Sequence, residues 1–394
     1  MLREKLLNFL RIHPNTLDAF WKVASIILNL GAIFVPVRNK TMLITSFAGR
    51  KYDDSPRALY EEILKRNEFD DWDIIWAFVE PKDFDIPRGR KIKIDTWAFF
   101  KALLYSKVWI SNSGMDRNIG ISRKQTIKIE TWHGTPIKRL GIDQNSRTLG
   151  NQKRPTKRDK RTIRCAQSEY DLAIFERIFN ATRESFLICD LPRNDALTRW
   201  TEEQRDEIRN KLGIKQGKKI ILYMPTYREY LIDNKGYFFK NPIDIHKWKA
   251  EIGTEYVMLF RAHYAVAEAL NIVQDDFVID VSDYPTLNDL YIVADVLISD
   301  YSSAYFDYSI LERPILCFAF DYEEYRDKRG FYKDIHDMLP CKIHINESTL
   351  ISEIKTMDYD EKAAETRNFH IKYTSRAGNA SEQVVNALAE RLCQ

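Results

Sequence analysis

The segment Glu130–Arg139 holds the side chain best suited to proton transfer in this sequence. His133 follows a short apolar run and lies in a turn that contains Gly134 and Pro136. An imidazole on a bent, partly exposed backbone can accept a proton from a bound hydroxyl group near neutral pH. The spacing therefore offers His133 as a candidate general base.

Three arginines further along the chain offer positive charge for binding phosphate. Arg193, Arg228 and Arg261 each lie at a predicted strand end or in a proline-containing turn. Guanidinium groups form paired hydrogen bonds with phosphate oxygens, although a single arginine is more often part of a surface ion pair. His263 follows closely and is either a phosphate donor or acid, or a structural imidazole.

A pair of serines supplies a further candidate anion site. Ser302 and Ser303 follow the apolar run Val296–Ser299 and are predicted to open a helix that continues through Leu311. Backbone N–H groups at a helix start attract anions, and the two hydroxyls add donors. Asp307 lies one turn along the same face. The alternative is ordinary helix capping by serine and aspartate.

Strands and helices alternate on both sides of a predicted linker near Leu191–Thr201. In the first half we predict the strands Thr41–Phe47, Asp73–Val79, Val108–Asn112 and Gln125–Trp132 and the helices Pro56–Lys65, capped by Ser55, and Ala98–Ser106. In the second half we predict the strands Lys219–Met224, Glu255–Phe260, Asp276–Val281, Val296–Ser299 and Pro314–Phe320 and the helices Thr201–Leu212 and Ser381–Leu392. Such alternation indicates parallel βαβ units, whose ligands bind beyond the carboxyl ends of the strands.

The bulk composition excludes several classes of protein. A chain of 394 residues is long enough for two domains, and a net charge of +3 does not indicate general nucleic-acid binding. The five cysteines are scattered, which favours reduced thiols over disulfides or a zinc site. No metal-binding motif, Walker A motif or dinucleotide fingerprint is present, so we expect no metal and no cofactor.

The N-terminal region is predicted to lie either on a membrane or on the first domain. An apolar helical stripe is formed by Leu17, Phe20, Trp21, Ala24, Ile27 and Leu28, with Ile26, Leu30 and Ile33 on other faces. Its uncharged part, Val23–Val37, is shorter than the ~20 residues of a spanning helix, which favours an interfacial helix. A basic loop, Lys153–Arg164, is either a solvated surface or a contact for anionic lipid or a phosphorylated acceptor.

Taken together, these motifs resemble the CDP-glycerol glycerophosphotransferase family of wall teichoic acid synthesis. The resemblance is carried by Thr131-Trp-His-Gly-Thr-Pro136, Leu191-Pro-Arg-Asn-Asp195, Met224-Pro-Thr-Tyr-Arg228, Phe260-Arg-Ala-His263 and Leu297-Ile-Ser-Asp-Tyr-Ser-Ser303 with Asp307. It extends from about Leu43 to Asn386, and the ordered combination of motifs is specific even though each motif is not. The compact length looks most like the short primase-type members.

The resemblance implies a fold and an arrangement of domains. The implied fold is of the GT-B type, with two Rossmann-like α/β domains whose parallel sheets face each other across a cleft. We assign residues 1–38 to N-terminal membrane-interface helices, 39–195 to an acceptor domain and 196–394 to a CDP-donor-binding domain.

The resemblance also implies transfer of glycerol phosphate from CDP-glycerol to a hydroxyl of an undecaprenyl-diphosphate-linked acceptor, with release of CMP. The reaction is expected at the cytoplasmic face of the bacterial cell membrane, with the protein peripherally attached. His133 matches the family's catalytic base, and His263 is the second candidate catalytic residue. The positions that match donor-binding residues are Gly134, Thr135, Pro136, Ile137, Arg193, Pro225, Thr226, Arg261, Ala262, Ser302, Ser303 and Asp307; Arg228 is added from its charge.

Three other functions remain open from the sequence. A CDP-ribitol-dependent transferase or a capsule polyol-phosphate transferase would share these motifs. A GT-B glycosyltransferase that uses a nucleotide sugar would share the arginines and the serine-lined helix start. A non-catalytic protein that binds lipid phosphate at the membrane would need the N-terminal helix and the basic loop, but neither His133 nor His263.

Overall fold

A computed structural model describes residues 14–115, 119–121, 123–144, 161–228, 232–233, 236–237, 242–262 and 274–394. Within these residues the strands are β1 Arg38–Thr45, β2 Asp73–Phe78, β3 Arg90–Lys93, β4 Ser106–Ser111, β5 Ile127–Glu130, β6 Thr162–Ala166, β7 Phe186–Ile188, β8 Lys219–Met224, β9 Ile232–Asp233, β10 Gly236–Tyr237, β11 Tyr256–Phe260, β12 Val278–Asp280, β13 Val296–Ser299, β14 Ile315–Phe318 and β15 Ile343–His344. The helices are α1 Pro14–Phe34, α2 Asp54–Leu64, α3 Trp97–Tyr105, α4 Glu169–Ile178, α5 Glu202–Lys211, α6 Ile245–Ile252, α7 Leu287–Val293, α8 Ala304–Ser309, α9 Tyr322–Arg329, α10 Ile335–Met338, α11 Glu347–Thr356, α12 Tyr359–Tyr373 and α13 Ala380–Leu392.

Two parallel sheets organise these elements and confirm the predicted α/β class. The first sheet has the strand order β3-β2-β1-β4-β5-β6-β7, and the second has the order β12-β11-β8-β13-β14-β15. In each sheet the chain adds strands on one side of its first strand, β1 or β8, and then on the other side, as in doubly wound nucleotide-binding folds. This reversal opens a crevice at the carboxyl ends of β1 and β4 in one sheet, and of β8 and β13 in the other.

The chain divides by internal contacts into two compact units. The first contains residues 1–133, 159–165 and 381–394, and the second contains residues 134–158 and 166–380. The domain boundaries expected from the sequence stay predictions.

Central strands are apolar along their whole length because helices cover both faces of each sheet. On β8, Ile220 and Leu222 enter one core cluster, whereas Ile221 and Tyr223 enter a cluster on the opposite face. Successive side chains of a strand point to opposite faces, so a strand with two buried faces must be apolar throughout. This requirement is why β8 could be delimited from the sequence.

Several predicted boundaries are wrong by a few residues. Helix α2 begins at Asp54 with Asp53 as its N-cap, in place of Ser55. Helix α8 ends at Ser309, so the helix after the serines is shorter than the expected one through Leu311. Strands β3, β6 and β15 were not expected at all.

One face of the N-terminal helix α1 packs on the first domain, and the membrane contact of the other face stays a prediction. Ala32 belongs to the core cluster beneath the helix, Leu28 and Val35 pack against that cluster, and Gly31 lies against Leu104 of α3. The side chains of Val23, Ile26, Ile27, Leu30, Ile33 and Phe34 are between 54% and 82% exposed. Ile27 and Leu28, which the sequence placed in one stripe, therefore lie on different faces. No helix among the described residues is long and apolar enough to cross a membrane.

Most of the basic loop, including Lys153, Arg154, Lys157, Arg158 and Lys160, lies outside the described residues. Arg164 at its end is part of β6, where its side chain is buried and its guanidinium lies 3.0 Å from Glu130. Arg164 is thus a strand residue with a carboxylate partner, and the expectation of a loop cation is wrong for this position.

Candidate active site

His133 lies just beyond β5, held by the backbone of the neighbouring strand. Its Nδ1 atom is 2.9 Å from the carbonyl oxygen of Asn112. A carbonyl oxygen can only accept a hydrogen bond, so Nδ1 carries a proton, and in the neutral form of the ring the lone pair is on Nε2. The Trp132 ring stacks on the imidazole with 4.1 Å between ring centroids. The geometry therefore leaves Nε2 as the basic atom of a fixed imidazole.

The residues beneath His133 occupy the crevice of the first sheet. After β4, the side chain of Asn112 accepts a hydrogen bond from Phe47 N at 2.8 Å, and that of Ser113 accepts one from Ala48 N at 2.9 Å. Phe47 and Ala48 have φ angles of 46° and 54°. The strained turn after β1 is thus fastened to the turn after β4, on which His133 rests.

In the second unit, Gly134 lies closer to Ser303 than a residue with a side chain could. Its φ angle is 144°, and a Cβ atom at this position would lie 2.6 Å from Cβ of Ser303 and 3.6 Å from Nη2 of Arg193. Only glycine fits such a close approach at this φ. The residue that follows His133 in the chain is therefore in direct contact with two predicted phosphate-binding positions.

Arg193 and Asp307 form a buried ion pair beside Gly134. Nη2 of Arg193 donates to Oδ2 of Asp307 at 2.7 Å, and the two side chains are 8% and 2% exposed. Asn194 donates to the other carboxylate oxygen of Asp307 at 3.0 Å. Asp307 thereby orients the guanidinium, so the structure brings together Gly134, Arg193, Ser303 and Asp307 from three separate motifs.

Three predicted donor-binding residues after Gly134 are buried. The hydroxyl of Thr135 is 2.8 Å from Oε1 of Gln167 and 3.0 Å from Oδ2 of Asp171. The carbonyl of Pro136 accepts a hydrogen bond from the Tyr170 hydroxyl at 3.0 Å, and Ile137 belongs to the main apolar cluster of this unit. These contacts fix the backbone of the turn.

Arg228 occupies a buried pocket of carboxylates and aromatic rings. Its guanidinium donates to Asp300 at 2.7 Å and to both oxygens of Asp321 at 2.9 and 2.8 Å, and its side chain is 0% exposed. Burial alone would lower the pKa of Arg228, but the two carboxylates outweigh burial and raise it. This geometry favours a structural role over the expected phosphate contact.

The remaining predicted residues lie at the crevice of the second sheet. Thr226, which follows Pro225 after β8, donates its N–H to Asp300 at 2.9 Å. Arg261 donates to the carbonyls of Val281 and Tyr284 at 3.1 and 3.0 Å.

Two neighbouring positions complete this group. Ala262 N donates to the Ser282 hydroxyl at 3.0 Å, and the Ser302 hydroxyl accepts from Ala304 N at 3.1 Å. His263 lies outside the described residues. Within the described ranges, no group of three or more His, Cys, Asp or Glu side chains could hold a metal ion.

Sequence reasoning missed the residues that hold the site together. Gln167, Asp171 and Asp190 contact it from the position after β6, from α4 and from the turn after β7. Asp190 directly precedes the Leu191–Asp195 motif, and a carboxyl beside a motif was the available signal. Asp171 gives no such signal, because an aspartate in the first turn of a helix is ordinarily explained by the helix dipole.

Residues 27–390 match the family described as CDP-Glycerol:Poly(glycerophosphate) glycerophosphotransferase. The chain belongs to this family. Curated relatives include a teichoic acid poly(glycerol phosphate) polymerase of Staphylococcus epidermidis, 36% identical over 344 residues that cover 83% of this chain and 47% of the relative. A teichoic acid glycerol-phosphate transferase of Staphylococcus aureus is 33% identical over 372 residues, covering 89% of this chain and 93% of the relative.

A solved member of the family supports the fold. The structure of the wall teichoic acid polymerase TagF is 31% identical, with a TM-score of 0.84, and the alignment covers 99% of this chain and 98% of that chain. The GT-B-like fold expected for this glycerophosphotransferase family is confirmed. The chain spans about half the length of the S. epidermidis polymerase and nearly all of the S. aureus transferase.

Proposed function

We propose that this protein transfers glycerol phosphate from CDP-glycerol to a hydroxyl of a lipid-linked acceptor and releases CMP. The observation that carries the proposal is the contact of Gly134 with Ser303 and Arg193. Gly134 directly follows the candidate base in the chain, and this contact places it against side chains that suit a diphosphate.

The residues divide the reaction between charge stabilisation and proton removal. When an alcohol attacks phosphorus and CMP departs, negative charge is spread over the phosphoryl oxygens. Arg193, oriented by Asp307, and the Ser303 hydroxyl would stabilise that charge. His133 would take the acceptor's hydroxyl proton at Nε2, a contribution that is typically worth about 10²–10⁴-fold in rate.

The acceptor side of the proposal rests on helix α1. Its exposed side chains, Val23, Ile26, Ile27, Leu30, Ile33 and Phe34, recur at intervals of three and four residues and so share one face. An apolar face of this kind suits an interfacial helix that lies in a membrane surface. We infer that the protein binds peripherally at the cytoplasmic face of the membrane, where an undecaprenyl-diphosphate-linked acceptor would be reached.

The experiment measures which nucleotide product appears and whether His133 is required. Purified protein is incubated with a soluble acceptor analogue and CDP-glycerol, CDP-ribitol or UDP-sugars, and CMP or UDP is quantified. We expect CMP from CDP-glycerol. UDP release without CMP would instead indicate a glycosyltransferase. CMP from CDP-ribitol alone would identify ribitol phosphate as the transferred group. No product from any donor would reject a catalytic role.

His133→Ala is expected to lower kcat by about 10²–10⁴-fold while CDP-glycerol binding, measured by calorimetry, stays close to that of the wild type. His246→Ala is the matched control, because His246 is exposed on α6 of the second sheet's unit. A His133→Ala protein that turns over at the wild-type rate would reject His133 as the base.

A further inference from the structure

A chain of buried hydrogen bonds connects the turn after His133 to Arg193. It begins at Thr135, whose hydroxyl is within hydrogen-bond distance of Gln167 and Asp171. Gln167 donates from Nε2 to Oδ1 of Asp190 at 2.8 Å. Thr135, Gln167, Asp171 and Asp190 are all at most 2% exposed. The proposed function assigns none of these four side chains a contact with substrate.

The chain continues from Asp190 to the ion pair at the site. Asn194 donates one amide hydrogen to Oδ1 of Asp190 and the other to Oδ1 of Asp307, both at 3.0 Å. Oδ2 of Asp307 then accepts from Arg193 at 2.7 Å. The side-chain amide of Asn194 therefore couples the carboxyl behind the turn to the carboxylate that orients Arg193.

Three carboxyls, those of Asp171, Asp190 and Asp307, are buried along this chain, and Arg193 forms an ion pair with Asp307. Oδ1 of Asp171 and Oδ2 of Asp190 find no hydrogen-bond partner among the described residues. A buried carboxylate oxygen without a donor is costly, so at least one carboxyl is expected to hold a proton.

Hydrogen-bond directions identify Asp171 as the protonated carboxyl. Thr135 has one hydroxyl hydrogen but faces two oxygens, Oε1 of Gln167 and Oδ2 of Asp171. Both contacts are hydrogen bonds only if Asp171 donates to Thr135 and Thr135 donates to Gln167. Asp190 instead accepts three N–H groups on Oδ1, from Gln167, Leu191 and Asn194, which favours its ionised form.

The surroundings of Asp171 agree with this assignment. Burial raises the pKa of Asp171 to about 7, the hydrogen bond from Gln167 N opposes this, and the nearby charge of Asp307 raises the pKa further. A hydrogen bond donated by Thr135 would also lower this pKa, but in the arrangement assigned above Thr135 donates to Gln167 instead. Burial also raises the pKa of Asp190 to about 7, against the three hydrogen bonds that it accepts, so the choice of Asp171 rests on the hydrogen-bond directions. The other titratable neighbour is Tyr170, on the same helix, whose pKa burial raises and which is therefore uncharged.

We propose that Thr135, Gln167, Asp171 and Asn194 are positioning residues that lock the turn directly after His133 to the Arg193–Asp307 pair, with Asp171 acting as a neutral acid. The inference rests on the proposed function, because it assigns these residues to the same transfer. Asp171 fixes the turn directly after the base, so its loss should act mainly on kcat. Asn194 fixes Arg193, so its loss should raise the KM for CDP-glycerol as well as lower kcat.

The test compares Asp171→Ala, Asp171→Asn and Asn194→Ala by steady-state kinetics from pH 6 to pH 9. Asp171→Ala should lower kcat by about 10²-fold, the loss typical of a misplaced catalytic group. Asp171→Asn should recover part of that loss, because an amide is neutral and can keep one of the two hydrogen bonds of Asp171 Oδ2, either accepting from Gln167 N or donating to Thr135. The ratio of the Asp171→Asn kcat to the wild-type kcat should rise about tenfold from pH 6 to pH 8. At pH 8 about nine tenths of the wild-type Asp171 carboxyl is ionised, and the wild-type kcat falls accordingly.

Glu169→Gln is the matched control, because Glu169 is an exposed carboxylate on the same helix. Its pH profile should follow that of the wild type. Three results would overturn the inference: Asp171→Asn as impaired as Asp171→Ala, Asp171→Ala with wild-type kcat, or a constant ratio of Asp171→Asn to wild-type kcat across the pH range.

A spectroscopic measurement separates this inference from the proposed function. Difference infrared spectra at pH 6.5 should show a buried protonated carboxyl in the wild type that is absent from folded Asp171→Asn. This band is independent of any donor. If no nucleotide donor is consumed but the band is present, the proposed function fails and the neutral acid stands. If CMP is released but the band persists in Asp171→Asn, Asp171 is not the neutral acid.

Discussion

Replacing Arg228 by methionine tests whether this arginine supports the fold or binds phosphate. Its guanidinium is paired with Asp300 and Asp321, and the rings of Tyr301, Tyr325 and Phe320 lie 5.0, 5.1 and 5.3 Å from its central carbon. Methionine fills similar space without charge. The substitution would therefore remove the guanidinium from two buried carboxylates.

The expected cost follows from that burial. The Asp300 and Asp321 side chains are 2% and 11% exposed, so water cannot replace the lost guanidinium. Removing one partner of a buried ion pair costs about 3–5 kcal/mol. With a urea m value of about 2–3 kcal/mol/M, the unfolding midpoint should fall by about 1–2 M.

The assay is urea unfolding followed by circular dichroism, with CDP-glycerol binding measured on protein that is still folded. Arg183→Met is the control, since Arg183 makes a similar two-bond pair with Glu169 while its side chain is 59% exposed. The control should leave the midpoint unchanged. If Arg228→Met kept its midpoint but lost tenfold or more in CDP-glycerol affinity, Arg228 would be a phosphate ligand and the structural interpretation would be wrong.

Three further predictions concern the site, the buried acid and the N-terminal helix. Gly134→Ala should lower kcat/KM by about 10²-fold, because its Cβ would overlap Ser303. Adding Ser303→Gly to this variant should restore part of the loss only if that overlap is the cause. Asp171 has a pKa of about 7 when folded, above its ordinary value of 3.8, so its stabilising effect is lost as pH rises. Between pH 5 and pH 8 the free energy of unfolding of the wild type, measured by urea titration, should fall by about 2–3 kcal/mol relative to that of Asp171→Asn. An equal dependence of the two unfolding free energies on pH would refute the assignment. Ile27→Asp with Ile33→Asp should abolish vesicle binding and leave kcat on a soluble acceptor unchanged, whereas retained sedimentation with vesicles would reject α1 as the membrane contact.

Local pattern was enough to find the central strands and one helix cap. Lys219–Met224 and Val296–Ser299 were predicted at the bounds observed for β8 and β13. The side chain of Thr201 caps α5 by accepting from Gln204 N. These features depend on residues that are close in sequence, or on burial of both faces of a strand, which leaves an unbroken apolar run.

Polar and short strands escaped the same reasoning. β3 reads Arg90-Lys-Ile-Lys93, with one buried side chain, and β15 has two residues. An edge strand of this kind shows no alternation of apolar and polar side chains by which it could be recognised. It forms because the neighbouring strand supplies hydrogen-bond partners, as β2 does for β3.

The sequence by itself determined which residue types could do the chemistry. His133, Arg193 and Ser303 were identified from their types and from their positions after apolar runs, and the ordered motifs identified the family. The tertiary structure decided what each charge is used for. Arg228 and Arg193 look alike in sequence, yet one is enclosed by Asp300, Asp321 and three rings and the other lies beside Gly134.

The same holds for the buried acid. Nothing near Asp171 in the sequence indicates that it holds a proton, because that depends on Thr135 and Asp307, which are 36 residues before it and well over 100 after it in the chain. The free energy of a charge is set by the dielectric and the partners around it, and both are assembled only when distant segments fold together.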